Sequence, residues 1–218
     1  MKTKLHWHKP NVIVIATLLA GLLLTVGGTW KLSDSNRNHI VSAVAETSQL
    51  LTGSIIERIT LYQYGLRGAR GTILTAGENG ITRQKFAAYS KTRDVDDEFP
   101  GARGFGFIRR VLPEDEAVFV EQARKDGAPG FAVRQLNPHT EERYIIQYIE
   151  PVERNAEAVG LDIGSETNRR TAAYEAMVTG RVQLTGPITL VQATGSPQQS
   201  FLILMPIYRP GMPVLTPE

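Results

Sequence analysis

The chain has 218 residues, 42% of them hydrophobic and 21% charged, enough to bury one core but not two independent domains besides a membrane-length segment. Its net charge of +2, with basic residues scattered rather than gathered into a stripe with interleaved aromatics, excludes nucleic acid as the expected partner. With no cysteine in the chain, disulfides, thiol catalysis and cysteine-ligated metals are excluded together.

Between Lys9 and Lys31 there is no charged residue, and the centre from Val12 to Val26 is densely apolar. At 1.5 Å per residue this stretch matches a hydrocarbon core of roughly 30 Å, so residues 11–30 are predicted to form a transmembrane helix. Lys2, Lys4 and Lys9 precede it with no acidic residue, which places tail 1–10 in the cytoplasm and Lys31 outside, and Trp7 and Trp30 flank it as interface anchors do. A cleaved signal peptide is the alternative, given the small residues Gly27, Gly28 and Thr29, but no Ala-x-Ala follows. Either reading exports the remainder.

Residues 31–80 are expected to continue as a stalk helix. Val41, Val44, Ser48, Leu51, Ile55 and Tyr62 recur at helical spacings, a narrow stripe suited to a parallel homodimer or to packing on the chain's own domain. Thr82 is a candidate N-cap for a short helix carrying Phe86 and Tyr89. The segment from Pro100 to Val111 reads as a turn and a strand, with Phe105, Phe107, Arg109 and Val111 on one face. Pro113 opens a helix with Glu114, Asp115 and Glu116 in its first turn, and Gly127 closes it.

Strands are predicted over Phe131 to Leu136 and Arg143 to Glu150, separated by the turn residues Asn137 and Pro138, with Pro151 ending the second. A short helix is expected near Val152 to Ala158, then a loop from Gly160 to Gly164. Ser165 is the expected cap of a helix reaching Thr179, with Ala172, Ala173, Ala176 and Met177 inward and Gly180 as its C-terminal glycine. Gln183 to Gln192 reads as a strand broken at Gly186-Pro187, and a turn at Gly195-Ser196-Pro197 leads into an apolar strand from Ser200 to Tyr208. Together these predict an α+β domain on an antiparallel sheet with flanking helices.

Catalytic chemistry is not readable. The four histidines, His6, His8, His39 and His139, offer no three-ligand metal set. Asp94, Asp96 and Asp97 lack the glycine and distal glutamate of a calcium loop, and Gly101 to Gly106 lacks the Lys-Ser/Thr of a P-loop. No nucleophile elbow occurs. No metal, cofactor or catalytic residue is therefore assigned.

A joint pattern runs from about Thr82 to Tyr208. It comprises Phe99-Pro100-Gly101, then Gly106-Phe107-Ile108-Arg109-Arg110-Val111, Tyr148-Ile149-Glu150-Pro151, Asn155 with Gly160-Leu161-Asp162, Ser165 with Arg169-Arg170-Thr171-Ala172, Thr179-Gly180, Thr185-Gly186-Pro187, and Leu202 with Pro206-Ile207-Tyr208. In this order and spacing it resembles the CHASE domain, an extracytoplasmic sensor module of membrane histidine kinases and nucleotide cyclases. The resemblance implies a long N-terminal helix, a membrane-distal PAS-like ligand-binding domain, here 81–208, and a smaller proximal PAS-like domain. Residues 209–218 then read as a linker to a proximal part, and the chain as the N-terminal sensor half of a receptor with a kinase, diguanylate cyclase or phosphodiesterase output.

The same resemblance makes Thr185 the expected ligand contact, a hydroxyl at a strand break that can reach backbone or ligand, and makes the ligand small, planar and purine-like. Phe105, Phe107, Tyr148, Leu184 and Leu204 are the expected walls, their alternative role being ordinary core, and Glu150 joins them as a ligand-facing group. Arg169 and Arg170 are either solvated or a fork toward Asp162 or Glu150 that pins the loop, with Asn155 in the same structural motif. A membrane-anchored envelope protein that binds another protein, and an exported enzyme, are the competing functions.

Overall fold

A computed structural model of the chain describes residues 9–77, 80–191, 199–209 and 211. The expected tail with Lys2, Lys4, His6, Trp7 and His8, the Gly195-Ser196-Pro197 turn, Gln192 and all but Arg209 and Gly211 of the 209–218 linker lie outside them. The chain divides into two compact units, Met1–Glu57 and Arg58–Glu218.

One helix, α1 (Lys9–Ala76), joins the predicted apolar segment to the predicted stalk without a break. It contains a window of mean hydropathy 2.3 whose residues are wholly exposed. That segment is long and apolar enough to cross a membrane, a property that a retained span shares with a signal segment. Its hydroxyls are compatible with an apolar medium because each is satisfied locally: Thr17, Thr25 and Thr29 donate to the carbonyls of Ile13, Gly21 and Thr25 at 2.8 to 2.9 Å.

In the second unit, α1 from Arg58 onward packs with the globular part. Arg58 Nη1 and the Tyr62 hydroxyl both donate to the Pro100 carbonyl, at 2.8 and 2.6 Å. Gly65 allows the aromatic rings of Phe99 and Phe105 to press on the helix: a Cβ there would lie 2.7 to 2.8 Å from their ring carbons. Thr82 caps α2 (Arg83–Ser90) as predicted, its side chain accepting from the Lys85 amide. The acidic loop forms a single turn, α3 (Val95–Glu98), capped by Asp94.

The sheet has four strands, β1 (Phe105–Val111), β2 (Arg134–Gln135), β3 (Arg143–Glu150) and β4 (Leu161–Asp162), in the order β1-β3-β4-β2. β1 and β3, and β3 and β4, are antiparallel, but β2 runs parallel to β4, so the sheet is mixed rather than wholly antiparallel. The predicted strand from Phe131 shortens to Arg134 and Gln135. A register shift opposite Phe107 and Ile108 leaves Gln147 as an extra residue on β3. Tyr144, Ile145 and Ile146 are buried in succession because both faces of the sheet are covered.

On one face, Ile73, Ile81 and Phe86 pack on Phe107 and Tyr148, while Phe119 and Ala123 of α4 (Glu116–Lys125) pack on Val111 and Ile145. The opposite face buries Tyr144 and Ile146 with Ala158, Leu161 and Ile163 beside α5 (Thr167–Thr179). A 3-10 turn at Pro113–Asp115 leads into α4, and Gly127, with φ of 77°, follows it. Residues 152 to 158 form two 3-10 turns rather than a helix.

The cap of α5 is Glu166, not Ser165: its carboxylate accepts from the amides of Asn168 and Arg169. Ser165 belongs to the preceding turn, where its hydroxyl donates to the Asp162 carbonyl at 2.6 Å and accepts from the Leu136 amide. Gly180 ends α5 in the left-handed conformation, as expected. The last predicted strands break into short pairs, β5 (Gln183–Leu184) with β8 (Ile203–Leu204) and β6 (Ile188–Thr189) with β7 (Gln199–Ser200). The fold is α+β: a long N-terminal apolar helix, then a mixed four-stranded sheet with flanking helices.

Candidate functional site

Asp162 sits fully buried on the inner strand β4. Its Oδ1 accepts from the amides of Tyr144 and Gly164 at 2.9 and 2.8 Å, and its Oδ2 lies 2.7 Å from His139 Nε2. Arg143 Nη1 and Arg170 Nη2 reach His139 Nδ1 at 3.0 and 2.9 Å. A guanidinium can only donate, so Nδ1 is the accepting nitrogen, and the tautomer with its proton on Nε2 satisfies the bond to Asp162 as well. Arg170 also holds the loop directly, donating from Nε to the Gly164 carbonyl at 2.6 Å and from Nη2 to Glu142 O.

The expected arginine fork on Asp162 or Glu150 therefore takes another form. Arg170 reaches Asp162 through His139, and the guanidinium nearest the carboxylate is that of Arg143, at 4.0 Å. Arg169 is buried and turned the other way: it donates to the Thr189 carbonyl at 2.7 Å, with Glu166 3.7 Å from its Nε. Burial pushes its guanidinium below the ordinary arginine value, and the Glu166 carboxylate opposes that shift. Asn155, fully buried, ties two turns together by donating from Nδ2 to Arg103 O and Pro151 O at 3.0 and 2.8 Å.

Beside the free edge of β1 lies a cavity of about 620 Å³. It is walled by α1 through Leu66, Ala69 and Ile73, by Phe107 of β1, by Ala173 and Met177 of α5, and by the segment from Ile203 to Arg209. That size is in the range of small-molecule sites. Tyr208 fixes the last wall, its hydroxyl donating to the Met177 carbonyl at 2.5 Å. Burial raises the pKa of this phenol.

Of the residues expected to face a ligand, Phe107 and Leu204 meet at this cavity. Thr185 is buried against the neighbouring chain instead: its hydroxyl accepts from the Leu202 amide at 2.9 Å, and its own amide donates to Leu202 O at 3.0 Å. Leu184 is 47% exposed on β5. Tyr148 lies under α2, with its hydroxyl donating to Asp126 at 2.6 Å, and burial followed by that carboxylate raises its pKa. Phe105 stacks edge-on against Phe99 at 5.0 Å, and Glu150 accepts from the Val152 amide. His139 and Arg143 were not singled out by sequence; an isolated histidine after an Asn-Pro turn has no local spacing that ties it to a carboxylate further along the chain.

The Asp162 loop, the Glu150-Pro151 turn and the Gly180 helix end thus occupy connected places around one sheet. A family model for the CHASE domain matches residues 79–218, more than half of the chain. The chain belongs to the CHASE family. A comparison with curated proteins finds no match. CHASE domains are extracytoplasmic sensor domains of signalling receptors and bind small ligands. In this CHASE domain no group of three or more His, Asp or Glu side chains is arranged to hold a metal ion among the described residues.

Proposed function

We propose that this chain is the sensor part of a membrane-bound receptor with a histidine kinase or cyclic-dinucleotide output, and that its ligand sits in the cavity between α1, β1 and α5. The carrying observation is that one continuous helix supplies both the apolar segment and a wall of the cavity. Ligand contact with Leu66, Ala69 and Ile73 would bias the position of an element that continues to the membrane segment. The ligand is planar and purine-like, as the family resemblance implies, with Phe107 and Leu204 as its contacts. Thr185 contributes by pinning Leu202, two residues from Leu204, and Leu184, Tyr148, Phe105 and Glu150 support the surrounding frame.

In this reading residues 11–30 are a retained span, the tail 1–10 is cytoplasmic, residues 31–80 are the stalk, and 81–208 are the exported domain. The lysines before the span and their absence within it support that orientation. Alkaline phosphatase fused after Gly80 is expected to be active and β-galactosidase at the same point inactive. The opposite pattern would refute the topology.

The stalk is proposed to pair in a parallel homodimer. Val41, Val44, Leu51 and Ile55 are between 59% and 63% exposed in the single chain, an apolar stripe that a second copy would cover. Leu51→Cys is expected to crosslink to its copy in oxidised membranes, and a cysteine on the far side, Glu46→Cys, to crosslink much less. Equal or absent crosslinking at both positions would argue for a monomer.

A further inference from the structure

His139 stands in a cluster of charged groups outside the cavity. Its side chain is 16% exposed on the turn before β3, so a proton from solvent can reach it. Asp162 of β4 accepts from its Nε2, and its Nδ1 accepts from Arg143 of β3 and Arg170 of α5. Two carboxylates back the arginines: Glu116 of α4 lies 3.1 Å from Arg143 Nε, and Glu141 lies 2.5 Å from Arg170 Nη1. Glu142 on the same turn faces Arg110 and the Tyr144 hydroxyl instead.

Both arginines are pinned against the ring. Arg143 Nη1 also donates to the carbonyls of His139 and Glu141, at 2.8 and 2.7 Å. Arg170 donates from Nη2 to Glu142 O at 3.1 Å and from Nε to Gly164 O at 2.6 Å, and its guanidinium carbon lies 5.9 Å from the Tyr144 ring centroid. A second proton on the imidazole sits on Nδ1, where it removes the acceptor that the two guanidiniums share and sets a third cation against them. The Nε2 bond to Asp162 survives that change, so the ring turns about it and carries the turn away, because Thr140 and Glu141 beside it are exposed.

We infer that His139 is a proton-sensitive latch: as a neutral ring it ties turn 137–142 to α5, and protonation at Nδ1 releases that turn. CHASE domains are extracytoplasmic, so the latch meets the pH outside the membrane. Arg170 stands one turn before Ala173 on α5, so the helix that loses this tie is the one that walls the cavity. The latch responds to protons alone and operates whatever ligand the cavity takes.

The test uses the full chain in lipid nanodiscs. Because the chain has no cysteine, Thr140→Cys takes a single nitroxide label on the exposed turn. From about pH 7.5 to about pH 5, the range in which an imidazole ordinarily gains its second proton, the label is expected to tumble at least about twofold faster. The nitrogen-15 signals of His139 should pass from a neutral ring protonated on Nε2 to the imidazolium with the same midpoint. His139→Gln, whose amide can donate to Asp162 and accept from the arginines without titrating, should hold the label at both pH values. If the glutamine fails to hold the turn at the higher pH, the two midpoints measured with His139 in place decide. Label motion that ignores pH, motion that changes equally in His139→Gln, a neutral ring protonated on Nδ1, or midpoints that differ overturn the latch.

Discussion

Asp162→Ala is expected to destabilise the globular unit by about 3 to 5 kcal/mol, the cost of removing one partner from a buried charged network. The carboxylate is fully buried and accepts from two backbone amides and from His139. Without it, the Tyr144 and Gly164 amides lose their acceptor, and Arg143 and Arg170 face each other across His139 with no central anion. Asp162→Asn keeps the shape and one carbonyl acceptor, so it should cost less than the alanine variant. The measurement is chemical unfolding of the full chain in detergent, followed by tryptophan-independent far-UV circular dichroism. A loss below about 1 kcal/mol for Asp162→Ala would show that water replaces the carboxylate at no great cost.

Gly65→Leu is expected to detach the cavity wall formed by α1. Even one carbon at this position meets Phe99 and Phe105, and both rings are buried, at 1% and 8% exposure, so neither can swing away freely. Overpacking of this kind costs about 1 to 3 kcal/mol, and the longer side chain belongs at the upper end. Gly71, six residues along the same helix, has nothing within 4 Å of its would-be Cβ. Gly71→Ala should therefore stabilise the helix by up to about 1 kcal/mol through propensity alone. Hydrogen exchange separates the two: amides of residues 58–76 should lose protection in Gly65→Leu and keep it in Gly71→Ala. Equal protection in both variants would mean that α1 does not depend on this contact.

Local signals in the sequence carried the elements whose ends are decided locally. Thr82 and Gly180 act as the caps that their residue types predict, because capping needs only neighbouring amides and carbonyls. β1 and β3 were legible from alternation and from Pro151, but the bulge at Gln147 was not, since an extra residue is defined only by its partner strand. The parallel pairing of β2 with β4 escaped for the same reason: two residues on each strand carry no period. Ser165 has the residue type of a cap, yet Glu166 has the longer reach and takes the amides, leaving the serine to bridge Leu136 and Asp162.

The candidate site was less legible than the fold. Phe107 and Leu204 both line the cavity because one lies on the edge strand and the other on the returning chain, a proximity defined only by the folded sheet. Thr185, a hydroxyl at a strand break able to reach backbone or ligand, takes the backbone partner, because the short β5-β8 pair brings Leu202 N to it. Arg109 and Arg110 stood in the motif without a role, and only the placement of α1 and the 203–209 segment brings them to the lining of the cavity.

Small-molecule binding in the cavity is tested most directly by a thermal-shift screen of metabolites on the full chain in nanodiscs, run in parallel on Ala173→Phe. Ala173 lines the cavity from α5 and is only half-buried, so a larger side chain there occupies ligand space before it disturbs the core. Ligands that stabilise the parent are expected to lose their shift in Ala173→Phe, while the unliganded melting temperatures stay close. Hits that stabilise both proteins equally would place the ligand elsewhere and contradict the cavity as the sensing site.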